Sequence, residues 1–290
     1  MKTVCGLDVH KDTIFLCILA VNGQPILREY SSLTPDIELM AGLIEQEGVF
    51  EVAMESTGIY WIPVWRILQG RVKLKLVNPY FIKQLPGRKT DVKDSQWIAT
   101  VLQKGLIRGS YIPEKHIQEL RQYERRYVRL CEQLTRIEQE IDRQLHRCNI
   151  RITSYASKIG SVSVMKVVQG IIQGENTADE LIRHIHGRIV NKDKQKVRAS
   201  LMGVISESDR FLFRQCYQEH ELIIQQQQEC ILQMELMCEQ YYKQELNLLC
   251  TVSGTQKLSA MTIIAELGID LKTFATAASL VGWVGLRPRN

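Results

Sequence analysis

The first 110 residues of this chain alternate between short apolar runs and helical segments in an order that few folds allow. Two apolar runs, at residues 4–9 and 13–19, predict neighbouring strands, and Asn22-Gly23 predicts a hairpin turn into a third strand near residues 25–30. Helix and strand patterns then alternate, with helices predicted at 34–46, 62–68 and 91–104 and strands at 51–54 and 74–77.

A three-stranded meander followed by α-β-α-β-α is the order of a ribonuclease H-like domain, so the predicted fold class is α/β followed by an α part. Two apolar seams with alternating spacings of three and four residues predict long helices over residues 113–148 and 208–243. These helices could pair within the chain as an antiparallel hairpin or between chains. The predicted domains are 1–110, a coiled-coil or helical domain at 111–247, and a small helical domain at 248–290.

Charge is unevenly distributed, although the formal net charge is only +5. Residues 1–60 carry three basic and nine acidic side chains, whereas residues 61–110, here called the basic segment, carry ten basic and two acidic ones. Such a local excess predicts a polyanionic partner, DNA or RNA, rather than a solvated face alone. The candidate phosphate contacts in the basic segment are Lys83, Arg88, Lys89 and Lys93.

Four carboxylates carry the predicted chemistry. Asp8 lies inside an apolar strand, where an unpaired carboxylate would be costly to bury, so a functional role is the simpler explanation. Glu55 ends a strand, and Asp91 and Asp94 share one face at the start of a helix, where helix capping is the alternative explanation for Asp91. Together they predict two Mg²⁺ or Mn²⁺ ions held about 3.5–4 Å apart at a phosphodiester.

A weaker nucleic-acid signal lies near the end of the chain. Gly254 and Thr255 precede an apolar helical stretch, as in hairpins whose main-chain N–H groups bind a phosphate backbone. An ordinary helix N-terminus is the alternative explanation for this short pattern.

The remaining sequence features exclude several classes of protein. The eight cysteines include no C-x-x-C pair and no zinc-type spacing, so we predict reduced thiols without a metal role. No apolar run reaches the ~18–20 residues of a membrane span, and the N-terminus lacks the apolar core of a signal peptide. We therefore expect a cytoplasmic protein without a membrane partner.

Three sequence blocks taken together resemble DEDD-type insertion-sequence transposases, a group that includes the bridge-RNA-guided recombinases. The blocks are 6–11 (GLDVHK), 55–61 (ESTGIYW), and Asn78-Pro79 followed by 88–94 (RKTDVKD). The resemblance implies a RuvC-like domain, a coiled coil and a C-terminal transposase domain. The metal ligands that it implies are Asp8, Glu55, Asp91 and Asp94.

The resemblance also implies DNA and a guide RNA as partners, and a homo-oligomer formed through the coiled coil. It continues into the block 282–289 (GWVGLRPR), where Arg287 and Arg289 are further candidate nucleic-acid contacts. In the family a serine nucleophile follows this block in a small-residue loop. Because the sequence ends at Asn290, no residue matches that serine, and Ser253 and Ser259 lie too early to replace it. We therefore expect these residues to bind metal and nucleic acid but to lack strand exchange.

Three functions are consistent with the sequence. The preferred one is a transposase or site-specific recombinase acting on DNA with Mg²⁺ or Mn²⁺. A metal-dependent nuclease of Holliday-junction type would need the four carboxylates but no serine. A non-catalytic dimeric scaffold would need only the long helices and the basic segment, and the substitutions Asp8→Asn and Asp94→Asn would then leave its activity intact.

Overall fold

The computed structural model of the chain describes residues 2–21, 24–56, 58–79, 91–107 and 109–284, with side chains throughout these ranges except at 91–93, 273 and 283. The chain divides into two compact units, residues 1–112 and 113–290. The predicted boundary between residues 247 and 248 stays a prediction.

The first unit is built on one five-stranded sheet. Its strands are β1 (Val4–Val9), β2 (Thr13–Leu19), β3 (Ile26–Ser31), β4 (Glu51–Glu55) and β5 (Lys73–Val77), in the order β3-β2-β1-β4-β5. The first three strands are antiparallel, and β4 and β5 continue the sheet parallel to β1. The helices of this unit are α1 (Thr34–Gln46), α2 (Trp61–Leu68) and α3 (Asp91–Gln103). This order confirms the predicted ribonuclease H-like fold.

Helices cover both faces of the sheet, which explains why β1 is apolar along nearly its whole length. On one face, α1 and α2 pack against Leu7 and Val9 of β1. On the other face, Ile98 and Val101 of α3 pack against Val4 of β1 and against the middle of β4 and the end of β5. Because side chains alternate along a strand, the even-numbered residues of β1 face α3.

The second unit is helical among its described residues. Its helices are α4 (Lys115–Arg147), α5 (Val162–Gln173), α6 (Ala178–Leu181), α7 (Gly187–Val190), α8 (Lys194–Ser200), α9 (Glu207–Tyr241), α10 (Lys243–Cys250), α11 (Lys257–Leu267) and α12 (Ala277–Trp283). None of the helices in the described part of the chain is both long enough and apolar enough to span a membrane.

The two long helices pack antiparallel within the chain. Near one end, the Gln144 amide donates a hydrogen bond to Asp209 at 2.8 Å, and further along Arg126 donates to Gln226 at 2.9 Å. Residue numbers therefore rise along α4 as they fall along α9. Of the two pairings that the sequence left open, the structure shows the one within the chain.

The seam between the long helices follows the predicted row on α4 and, except at two places, on α9. Leu130 and Ile137 are buried on α4 as expected, whereas Ile223 and Tyr242, rather than Ile224 and Tyr241, are buried on the other side. The expected row was therefore wrong at these two places. Ile224 is half-buried beside the seam, because neighbouring rows of a helix lie close enough together to share an apolar stripe.

A polar contact fixes helix α11 on helix α4. Arg121 donates hydrogen bonds to the carbonyl oxygens of Ala265 and Glu266, at 3.0 and 2.8 Å, where the last carbonyls of α11 need partners. Arg125 donates to the Glu266 carboxylate at 3.1 Å. Between them lies Glu124, whose side chain is buried, and burial together with the facing Glu266 carboxyl raises the pKa of Glu124.

Candidate active site and nucleic-acid contacts

Two of the four predicted carboxylates lie at neighbouring strand ends. Asp8 is the penultimate residue of β1, and Glu55 is the last residue of β4. The parallel register pairs Gly6 with Ala53 and Leu7 with Met54, so the next step brings Asp8 beside Glu55. Ala53 packs on the α3 side of the sheet, and both carboxylates lie on that same side. The carboxyl ends of parallel strands are where open α/β sheets place their ligands.

Helix α3 reaches this edge of the sheet because Gly6 has no side chain. A Cβ atom on Gly6 would lie 2.5 Å from the Ala99 nitrogen and closer still to the Ser95 carbonyl oxygen. The backbone of α3 therefore rests directly on β1, two residues before Asp8. No local sequence pattern marks this contact, because Gly6 and Ser95 lie far apart in the chain.

Asp94 begins the part of α3 that faces the sheet. It lies four residues before the buried Ile98, so these two residues share one side of the helix. Asp94 is half-buried there. The backbone of Asp91 starts α3, but its side chain is outside the described set. The four predicted carboxylates belong to three elements, and the structure brings these to one edge: the ends of β1 and β4 and the first turns of α3.

The side chains at this edge of the sheet offer carboxylate oxygens, the ligand type that a hard cation prefers. Asp8 is only 5% exposed although it lies in an otherwise apolar strand, and its carboxylate oxygens are ligands that Mg²⁺ and Mn²⁺ accept. Among the side chains that the structure describes, no three His, Cys, Asp or Glu residues converge closely enough to hold one ion. The side chain of Asp91 is not among those described, and the complete ligand set stays a prediction.

His10 is a neighbour of Asp8 and had no role among the residues predicted from sequence. Its Nε2 atom lies 3.1 Å from Oδ2 of Asp8, and its side chain is 43% exposed. Its ring packs edge-on against Phe15, with 5.9 Å between the ring centroids. Residues two positions apart at the end of a strand, such as Asp8 and His10, point their side chains to the same side of the sheet. This spacing is the signal that could have drawn attention to His10.

A small cavity of about 190 Å³ lies beside this edge on the β2–β3 side. It adjoins the candidate site because Phe15, which lines it, is paired with Asp8 across the sheet, and Ser95 of α3 also lines it. Its lining residues are Phe15, Leu16, Leu27, Arg28, Glu29 and Ser95.

The C-terminal nucleic-acid signal lies in an exposed turn between α10 and α11. Gly254 has φ = +84°, a conformation that favours glycine, and the Thr255 N–H donates to the Val252 carbonyl at 3.0 Å. The Thr255 N–H is therefore used within the turn. The N-cap residue of α11 is Gln256, whose side chain makes no capping hydrogen bond to the first turn of the helix.

The side chains of the remaining predicted contacts lie outside the described set. Lys93 contributes its backbone to α3, but its side chain is not among those described. The other predicted phosphate contacts also fall outside the described residues; they are Lys83, Arg88, Lys89, Arg287 and Arg289.

Comparison with protein families identifies the group to which the chain is related. A transposase family model for the DEDD-type domain of the IS110 group matches residues 5–150, which is half of the chain. The chain belongs to the IS110 transposase family. A second model, for the IS116/IS110/IS902 transposase family, matches residues 246–290 of this IS110-family chain. Both models cover segments in which the sequence predicted functional residues.

Two further comparisons add little to this family assignment. A structure of RuvC from Thermus thermophilus matches with 13% sequence identity and a TM-score of 0.27, covering 37% of this chain and 99% of the other. None of the curated proteins compared matches the chain.

Proposed function

We propose that this IS110-family transposase cuts and rejoins DNA with divalent metal ions held by Asp8, Glu55, Asp91 and Asp94. The observation that carries the proposal is the shared edge of the sheet. Asp8 and Glu55 end adjacent parallel strands, and α3 brings Asp94 against the same face through the close approach at Gly6.

The carboxylates act by holding and orienting the ions. When bound, a pair of such ions activates the attacking oxygen and stabilises the leaving oxygen at a phosphodiester. Asp8 contributes a carboxylate already ordered by the strand and by His10, and Asp94 contributes one fixed by helix packing. A serine that follows the Gly282–Arg289 block in the family supplies the nucleophile in this proposal.

DNA and a guide RNA are the proposed partners. The basic segment supplies sequence-independent phosphate contacts, and the open N-terminus of α11 adds main-chain donors at the second family segment. A homo-oligomer is also proposed. Because α4 and α9 pair with each other, an oligomer would use their outer faces, where Leu222, Leu232 and Leu236 of α9 are exposed.

The test is cleavage of a four-way DNA junction and of supercoiled plasmid, with Mg²⁺ or Mn²⁺, by the chain extended through the sequence that follows Arg289 in the family, as wild type and as matched variants. Asp8→Asn and Asp94→Asn should lower cleavage by about 10²-fold or more while DNA binding is kept, because they remove ligands and not phosphate contacts. Asp12→Asn makes the same change at an exposed position beyond the end of β1 and should leave cleavage unchanged.

The two alternatives predict different results in this experiment. If Asp8→Asn and Asp94→Asn leave every activity intact, the chain is a scaffold. A junction nuclease would hydrolyse DNA without forming a protein–DNA bond, whereas a serine recombination step leaves a covalent adduct. The adduct is therefore sought with a chain extended through the sequence that follows Arg289 in the family.

A further inference from the structure

We propose that His10 is a direct nitrogen ligand of the cation bound by Asp8, and that it makes the site prefer Mn²⁺ to Mg²⁺. The inference rests on the proposed function, because it assigns a further residue to the same metal site. It goes beyond the four carboxylates because it adds a nitrogen ligand to a site otherwise made of oxygen ligands.

The separation of the two donor atoms is the first support. Adjacent ligands in an octahedral site with bonds of about 2.1 Å lie about 3.0 Å apart. His10 Nε2 and Asp8 Oδ2 are 3.1 Å apart. One ion can therefore contact both atoms without a change of either backbone position.

The local structure holds both donors in this arrangement. The His10 N–H donates to the Thr13 carbonyl at 2.9 Å, which closes the tight turn between β1 and β2. Phe15 packs edge-on against the imidazole and limits its rotation. Asp8 is buried and the His10 side chain is 43% exposed, so an ion between them has protein on one side and space for water ligands on the other.

The donor type determines the expected metal preference. Mg²⁺ is bound almost entirely through oxygen and keeps several water ligands. An imidazole nitrogen binds first-row transition-metal ions better than it binds Mg²⁺, and Mn²⁺ is the ion of that series for which this advantage is smallest. Loss of His10 should therefore weaken Mn²⁺ binding by about tenfold and Mg²⁺ binding by less than about threefold, so that the preference for Mn²⁺ falls.

The competing explanation is a hydrogen bond in which His10 only positions Asp8. In that case Nε2 carries a proton and donates a hydrogen bond to the carboxylate, and no nitrogen contacts the metal. His10→Asn is the informative variant, because its side chain stays polar but presents no imidazole nitrogen. The matched control is His186→Asn at the exposed N-cap of α7, where asparagine also caps a helix.

The experiment is pulsed electron paramagnetic resonance of Mn²⁺ added to the full chain, with binding constants from Mn²⁺ titration and Mg²⁺ competition. We expect a ¹⁴N coupling of directly bound imidazole in the wild-type protein and in His186→Asn, and its loss in His10→Asn. Labelling with [¹⁵N]histidine should convert the signal to a ¹⁵N coupling, which tests the ligand without any substitution.

The outcomes separate this inference from the proposed function. If Mn²⁺ binds and Asp8→Asn abolishes binding, but no directly bound nitrogen is seen, His10 is not a ligand and the carboxylate site stands. A nitrogen coupling that persists in His10→Asn also overturns the inference. If the wild-type chain binds no Mn²⁺, or Asp8→Asn binds it as tightly as the wild type, the metal site of the proposed function itself is wrong.

Discussion

Replacing Gly6 with alanine should separate α3 from the sheet and displace the metal site. The added Cβ would lie 2.5 Å from the Ala99 nitrogen and nearer to the Ser95 carbonyl oxygen. Non-bonded carbon–oxygen contacts between two backbone segments are normally no shorter than about 3.3 Å. Both neighbours are backbone atoms of a helix, so no side chain can rotate away. The N-terminal half of α3 must therefore move outward by about 1 Å, and Asp94 moves with it.

Two magnitudes follow from that displacement. Overpacking of a core typically costs about 1–3 kcal/mol, and we expect about 3 kcal/mol because the obstruction is rigid. A misplacement of about 1 Å at a catalytic group can lower a rate by about 10²-fold. Stability and cleavage should therefore both fall, although Gly6 contacts neither metal nor DNA.

The assay is urea unfolding of the full chain, with hydrogen exchange of the α3 amides measured by mass spectrometry, and with junction cleavage by the extended chain measured in parallel. Gly42→Ala is the control, because Gly42 lies within α1 and a Cβ there would meet no atom within 4 Å. That substitution should stabilise the chain by about 0.5–1 kcal/mol, since alanine loses less conformational entropy in a helix. The reasoning is refuted if Gly6→Ala changes the unfolding free energy by less than about 0.5 kcal/mol and α3 exchange is unaltered.

Three further predictions concern other parts of the molecule. The pKa of Glu124 is raised in the folded state, so the free energy of unfolding of the wild-type protein should fall as pH rises from about 4.3, the unfolded pKa, through the folded pKa. Glu124→Gln should flatten this decline in urea unfolding measured at several pH values. An unchanged pH dependence would contradict the assignment. Burial raises the pKa of the Cys17 thiol to about 11, so iodoacetamide should label the exposed Cys250 much faster than Cys17. Peptide mapping measures the two rates, and equal rates would contradict the burial of Cys17. Alanine at the four candidate phosphate-binding residues of the basic segment should weaken DNA binding. The slope of log K for DNA binding against log salt concentration should become shallower by about 0.9 for each phosphate that is no longer neutralised. An unchanged slope would show that these four residues do not contact phosphates.

Local patterns were sufficient to predict most of the first unit. Apolar runs bounded by turn residues predicted β1 and β2 with their bounds within one residue, and the order of elements predicted the sheet. Asp8 attracted attention because a buried carboxylate in an apolar strand needs a reason. These signals lie within a few residues of one another, which is why a single sequence was enough.

Contacts between distant residues were not predictable in the same way. The approach of α3 to Gly6 depends on residues separated by most of the first unit, and glycine in a strand does not show which backbone it admits. The pairing of α4 with α9 stayed open because an apolar seam can be buried by a helix of the same chain or of another. Polar pairs such as Gln144 and Asp209 distinguish these possibilities only once the structure is known.

The candidate site has two supports that depend on different interactions. Asp8 and His10 are held by β1, by its pairing with β2 and by the turn that the His10 N–H closes on Thr13. Asp94 is held by helix packing, which in turn depends on the absence of a side chain at Gly6. Displacing α3 should therefore leave the histidine–aspartate pair in place, and replacing His10 should leave α3 in place. Since an ion that needs both supports is weakened by either change, the Gly6 and His10 experiments examine different halves of one site, and neither result can substitute for the other.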